Sequence, residues 1–125
     1  MTTEEKKAYL LLKSVIFHKH GLDESEQQIL NETAIKLDAH TELDWANQFI
    51  EEDYCNAFER ARAYLLDKMM ELDKDVRLDY LSKVWEANDQ KGYVSEIEAT
   101  AMLKLAADWD IERAFINAIK SLSAK

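Results

Sequence analysis

Chemistry-bearing side chains gather most densely over residues 87–98. Counted from Ala87, Asp89 falls third, Gly92 sixth, Ser95 ninth and Glu98 twelfth. In a twelve-residue calcium loop the sixth residue is a glycine that makes a sharp turn, and the twelfth is a glutamate that binds through both oxygens. Ala87 stands where the first ligand belongs, and Lys91 brings a cation to the fifth place. Calcium takes about six to eight oxygens. Asp89, the Tyr93 carbonyl, Ser95 and Glu98 supply part of that shell, and water completes it in this reading.

A second grouping is His20, Asp23 and Glu26, whose nitrogen and oxygen donors suit a transition metal such as zinc. The histidines are His18, His20 and His40. His18 and His20 point about 200° apart on a regular helix, so they do not chelate together. No Glu-x-x-His pair of the di-iron bundles occurs, nor His-Glu-x-x-His, a phosphate-binding P-loop, Gly-x-Ser-x-Gly or a dinucleotide fingerprint. The chain therefore reads as non-enzymatic. Cys55 is the single cysteine, which excludes an intramolecular disulfide and a cysteine zinc cluster. Its neighbour Tyr54 reads as part of a helix, and Cys55 is expected to be buried. Trp85 extends an apolar stripe. Trp109, between Asp108 and Asp110 at a helix junction, is expected to be half exposed, a place for a partner contact.

Helices must position these groups. The 125 residues hold two glycines and no proline, with 47% hydrophobic content; good helix formers dominate, and turn-rich β architecture is disfavoured. Ala8, Leu11, Leu12, Val15 and Ile16 form one helical stripe within residues 3–19, ended by Gly21. Asp23 with Glu26 reads as a capping box for a second helix, whose inner face is Ile29, Leu30, Ala34 and Leu37. Thr41, with Asp44 three residues on, starts a third helix with Trp45, Ala46, Phe49 and Ile50 inward. The run Glu51, Glu52 and Asp53 suits the N-terminal end of a fourth helix, whose stripe is Tyr54, Phe58, Ala61, Leu65, Met69 and Leu72. A break at residues 73–75 precedes a fifth helix over 75–88. Asp73–Arg77 and Asp79–Lys83 are spaced as ion pairs. Ser95 with Glu98 is a second capping box after a non-helical stretch at 89–93. Asp110 caps a last helix, with Ile111, Ala114, Phe115, Ala118 and Leu122 on one face.

The two glycine corners follow one plan: an apolar helix, a glycine turn, one apolar residue, a cap and a glutamate three residues later. The stretches 84–98 and 17–26 are similar to the TerB-like family, the helical domain of tellurite-resistance proteins. Its repeated signature is Ala-x-Ala-Asp-Gly, an apolar residue and a capped helix with glutamate in its first turn. Here residues are inserted between Asp89 and Gly92, and His20 replaces the signature aspartate. The resemblance spans roughly residues 8–122. It implies an all-α, compact single-domain bundle of about seven helices with an internal pseudo-repeat, covering 1–125. It also implies an accessory stress or tellurite-resistance role, with a protein partner or a divalent cation at the acidic corners. The alternative is a degenerate EF-hand-like calcium module. The net charge of −9 repels phosphate backbones and anionic lipid, so no nucleic-acid partner is expected. The apolar run over 8–17 is too short to span a bilayer and carries Lys13, and the first residues lack a signal-peptide pattern. A cytoplasmic location is the corresponding expectation.

Overall fold

The computed structural model describes residues 1–90 and 92–123, except the side chains of His20 and Ser123. Among these residues the protein is all-α, with seven α-helices and no strand: α1 Thr3–Phe17, α2 Glu24–Leu37, α3 His40–Glu52, α4 Ala57–Met69, α5 Lys74–Gln90, α6 Glu96–Asp108 and α7 Glu112–Ser123. Two single 3-10 turns, His18–His20 and Tyr54–Asn56, follow α1 and α3. No helix among the described residues is long and apolar enough to cross a membrane.

The bundle is organised around α1. Thr2 and Glu5 cap it reciprocally. The expected single stripe is too narrow a description: every residue from Ala8 to Phe17 is buried, Lys13 and Ser14 included. A helix buried on all sides is a core element rather than a surface one, and α1 packs against α2, α3, α4, α5 and α6. Its leucines and isoleucine join Leu30, Ile50, Leu65, Leu81, Met102 and Phe115 in one apolar core.

The two halves repeat more than their glycine corners. Asp23 and Ser95 each accept a hydrogen bond from the backbone of a glutamate three residues on, Glu26 and Glu98. At matching distances further along, α2 and α6 are each followed by an aspartate with positive φ, Asp38 (51°) and Asp110 (57°). The next residues, Ala39 and Ile111, donate backbone N–H groups to Ala34 and Ala106 carbonyls at 2.8 and 2.9 Å. This is the Schellman-type closure of a helix end. Leu43 and Phe115 then enter the core at corresponding places.

Several local expectations are corrected. Asp110 closes α6 and does not cap α7, because its left-handed backbone completes the preceding helix end. Helix α3 starts at His40 with no side-chain cap, its N-cap being Ala39; the tight Asp38–Ala39 closure leaves no room for a Thr41 start. Glu51 and Glu52 end α3 instead of opening α4. Arg60 compensates for charge at that unfavourable end, donating to the Phe49 carbonyl at 2.8 Å and to Glu52 at 3.4 Å. Helix α5 runs to Gln90, so Asp89 and Gln90 are helical, not part of a loop. On α7, Ala114 is exposed while Phe115 is buried, as is Ile111 just before the helix.

Arg77 is not paired with Asp73. It turns inward and donates to the carbonyls of Met69 (2.8 Å), Leu72 (3.0 Å) and Trp109 (2.9 Å), joining the ends of α4 and α6. Trp109 is fully buried and so offers no half-exposed contact. The Asp79–Lys83 pair forms as expected, at 2.9 Å.

Candidate functional site

At the first corner α1 gives way to the 3-10 turn, and Gly21 takes φ +92°, where a side chain would be strained. Asp23 Oδ1 accepts the Glu26 N–H at 2.8 Å, and Glu26 Oε1 accepts the Asp23 N–H at 3.3 Å. At the second corner Gly92 takes φ +121°. Ser95 Oγ accepts the Glu98 N–H at 3.2 Å, while Glu98 Oε1 accepts the Ser95 N–H at 3.1 Å and the Ser95 hydroxyl at 2.8 Å. Both glutamates are fully buried. The corners are in reach of one another through the 3-10 turn His18–His20, which packs on α6.

The predicted ligand residues are thus distributed unevenly. Asp23 and Asp89 face solvent, Ser95 is half-buried, and Glu26 and Glu98 point inward to close caps. The side chain of His20 and all of Lys91 lie outside the described residues. Among the described residues no group of three or more His, Cys, Asp or Glu side chains converges as a metal site. Residues 87–90 are the last turn of α5 and 96–98 the first turn of α6, so the 87–98 stretch is largely helical. An encircling calcium loop needs that backbone free to present its oxygens.

A surface feature that the sequence did not announce lies beside the first corner. Lys19 Nζ sits 4.5 Å from the Phe58 ring centre. These two residues line both of two adjoining clefts. One, of about 280 Å³, also contains Glu96, Ile97, Thr100 and Lys104. The other, of about 340 Å³, also contains His18, Tyr54 and Cys55. Tyr54 and Ile97 are 56% and 54% exposed. Cys55 is exposed rather than buried, because residues 54–56 form a 3-10 turn and not the helical stripe the spacing predicted. His18 is fixed by a 2.7 Å contact of Nδ1 with the Ser14 carbonyl and packs edge-on against Tyr54. The sequence signal for this face was faint: apolar residues at 54, 58 and 97 that share no single helix.

Other charged groups have structural partners. Arg62 forms a two-pronged pair with Asp108, both contacts at 2.9 Å, which holds its guanidinium charged. Tyr80 donates to Glu5 at 2.8 Å. That bond holds the Glu5 carboxyl below its ordinary range, while burial first and then the bond raise the Tyr80 phenol.

The chain matches no protein-family model, no curated protein and no solved structure.

Proposed function

We propose that the chain is a non-enzymatic, TerB-like helical binding domain that takes a segment of a protein partner on the face beside its first corner. The observation that carries this reading is the pair of clefts sharing Lys19 and Phe58, with Tyr54 and Ile97 exposed at their sides. Exposed aromatic and aliphatic anchors flanked by charge are the usual makings of a binding hot spot. Lys19 and Lys104 outnumber Glu96 on the face, in a chain of net charge −9. The segment best suited to it has apolar anchors and acidic flanks, because a local cation pair steers such a chain into register.

The corner carboxylates favour this reading over a divalent cation. Glu26 and Glu98 accept backbone N–H groups in their own caps, and stripping them for a metal would open two helix starts. Isothermal titration with calcium and zinc measures the cation reading directly; heat abolished by Glu98→Ala would reverse the choice. The TerB-like resemblance extends the proposal to an accessory role in stress or tellurite response. Unchanged tellurite sensitivity in a strain lacking the chain would remove that extension.

The docking face is tested by placing the photo-crosslinker benzoylphenylalanine at position 54 or 97 in cells, with position 71 as control. Discrete adducts to an acidic segment are expected from 54 and 97 only. They should vanish with Lys19→Glu at unchanged melting temperature. Identical patterns at all three positions would sink the reading.

A further inference from the structure

Helix α5 shows solvent Asp75, Asp79, Lys83 and Glu86, the ordinary outer face of a bundle helix. Helix α6 does not. Between Glu98 and Asp108 its one charged residue is Lys104. Exposed around that lysine are Ile97, Thr100, Leu103 and Ala107. On the other side Ala101, Met102, Leu105 and Ala106 are buried in the core. A helix that is apolar nearly all round belongs where neighbours cover it on every side. Helix α6 is one neighbour short.

Ile97, Thr100, Lys104 and Ala107 follow one another at steps of three and four, so they form one stripe along α6. Ile97, Thr100 and Lys104 are one wall of the cleft of about 280 Å³, and Lys19 and Phe58 are the other. Tyr54 extends that second wall through the adjoining cleft. The two walls make a groove with apolar anchors on both sides and an ammonium on each. Glu96, in the first turn of α6, is the opposing charge.

We propose that, granted the docking face above, its occupant is an amphipathic helix of a partner protein. It lies along α6 with its apolar stripe in the groove and carboxylates beside that stripe. Among the described residues there is no strand, so no sheet edge is open to pair the backbone of an extended segment. Such a segment would bury N–H and C=O groups against side-chain walls that cannot satisfy them. A helix arrives with those groups already bonded to one another. The short side chains of Thr100 and Ala107 also let a second helix axis come to about 8–10 Å. Two ammoniums against one carboxylate select acidic flanks. A second copy of this chain is disfavoured, because two bodies of net charge −9 repel.

The test places benzoylphenylalanine at position 97 or 104 in cells, with position 71 as control, and maps the captured residues of the partner. Positions 97 and 104 lie about 10 Å apart along α6. A helical occupant rises about 1.5 Å per residue, so the captured residues should be about seven apart. An extended one rises about 3.3 Å per residue, which puts them about three apart. A synthetic peptide of the captured segment should gain helical circular dichroism when mixed with the full chain. Proline at an outward-facing position in its centre should weaken binding at least about tenfold. Ile97→Asp, on an exposed position, should weaken binding about tenfold at unchanged melting temperature. Captured residues three apart, or a proline peptide bound as tightly as its parent, overturn the helix and leave the docking face standing. Adducts no different from those at position 71 remove the docking face and the helix with it. Adducts between copies of this chain, with a dimer in sedimentation that Ile97→Asp dissolves, assign the groove to a second copy and overturn the proposal.

Discussion

Arg77 shows how much one side chain holds. Its guanidinium replaces water for the last carbonyls of α4 and for Trp109 at the end of α6. Arg77→Ala leaves those buried acceptors unpaired and should cost about 3 kcal/mol in urea unfolding. Arg77→Lys should recover little of it, because a single ammonium cannot reach carbonyls on two helix ends. Lys13 makes a pH prediction. Its folded proton affinity is lowered, to about 8, so the unfolded chain binds the extra proton between about pH 8 and 10. Stability should therefore rise with pH across that window, by about 2 kcal/mol after allowing for solvent screening. Above it Tyr9, pushed up to about 12 by burial, works in the opposite sense. A parallel series with Lys13→Met should be flat between pH 8 and 10; an equal rise there would reject the assignment. Neither role was legible in the sequence. The spacing of Asp73 and Arg77 fits an ion pair equally well, and only the packing of α6 decides that the arginine turns inward. Lys13 stood out as the charge in an apolar run, but burial of the whole run was needed to give it this pH dependence.

The two corner capping boxes were legible, since such a box is written in four consecutive residues, whereas the starts read at Thr41, Glu51 and Asp110 were not, because neighbouring helix ends claim those residues. Both Asp23–Glu26 and Ser95–Glu98 form as the sequence implies. Asp23→Ala and Ser95→Ala should each cost about 1 kcal/mol by thermal unfolding. The glycine corners are a separate case. A Cβ at Gly21 or Gly92 would meet nothing within 4 Å, so any loss there comes from backbone conformation alone. Gly21→Ala and Gly92→Ala should each destabilise by about 1–2 kcal/mol; an unchanged melting temperature would show that the turn relaxes to negative φ. Helix ends were less legible, because their partners are distant in sequence. The α3 end is closed by Arg60, eleven residues beyond Phe49, and nothing local to Glu51 and Glu52 reveals it. The candidate docking face was hidden for the same reason. It is assembled from the two 3-10 turns, the start of α4 and one side of α6, and no periodicity within a single helix describes it.

At the scale of the whole molecule, the balance between close ion pairs and diffuse repulsion governs the response to salt. Close pairs hold specific places: Arg62 with Asp108 at 2.9 Å, Lys74 with Asp110 at 2.8 Å, and Lys83 with Asp79 at 2.9 Å. All three sit on partly or largely exposed side chains, where such a pair is worth about 0–1 kcal/mol. Against them stands a net charge of −9 on one small bundle, whose self-repulsion disfavours the compact state. Screening lengths fall from about 30 Å at 0.01 M to about 8 Å at 0.15 M ionic strength. The long-range repulsion is therefore lost first, while contacts near 3 Å keep most of their attraction. Raising sodium chloride across that range should raise the urea midpoint, by on the order of 1 kcal/mol in stability. Lys120→Glu, on the exposed side of α7, should steepen the rise by adding to the imbalance. A midpoint that falls with salt would mean that the ion pairs outweigh the repulsion. The Arg62–Asp108 link between α4 and α6 would then be the first place to look, with Arg62→Met expected to abolish the fall.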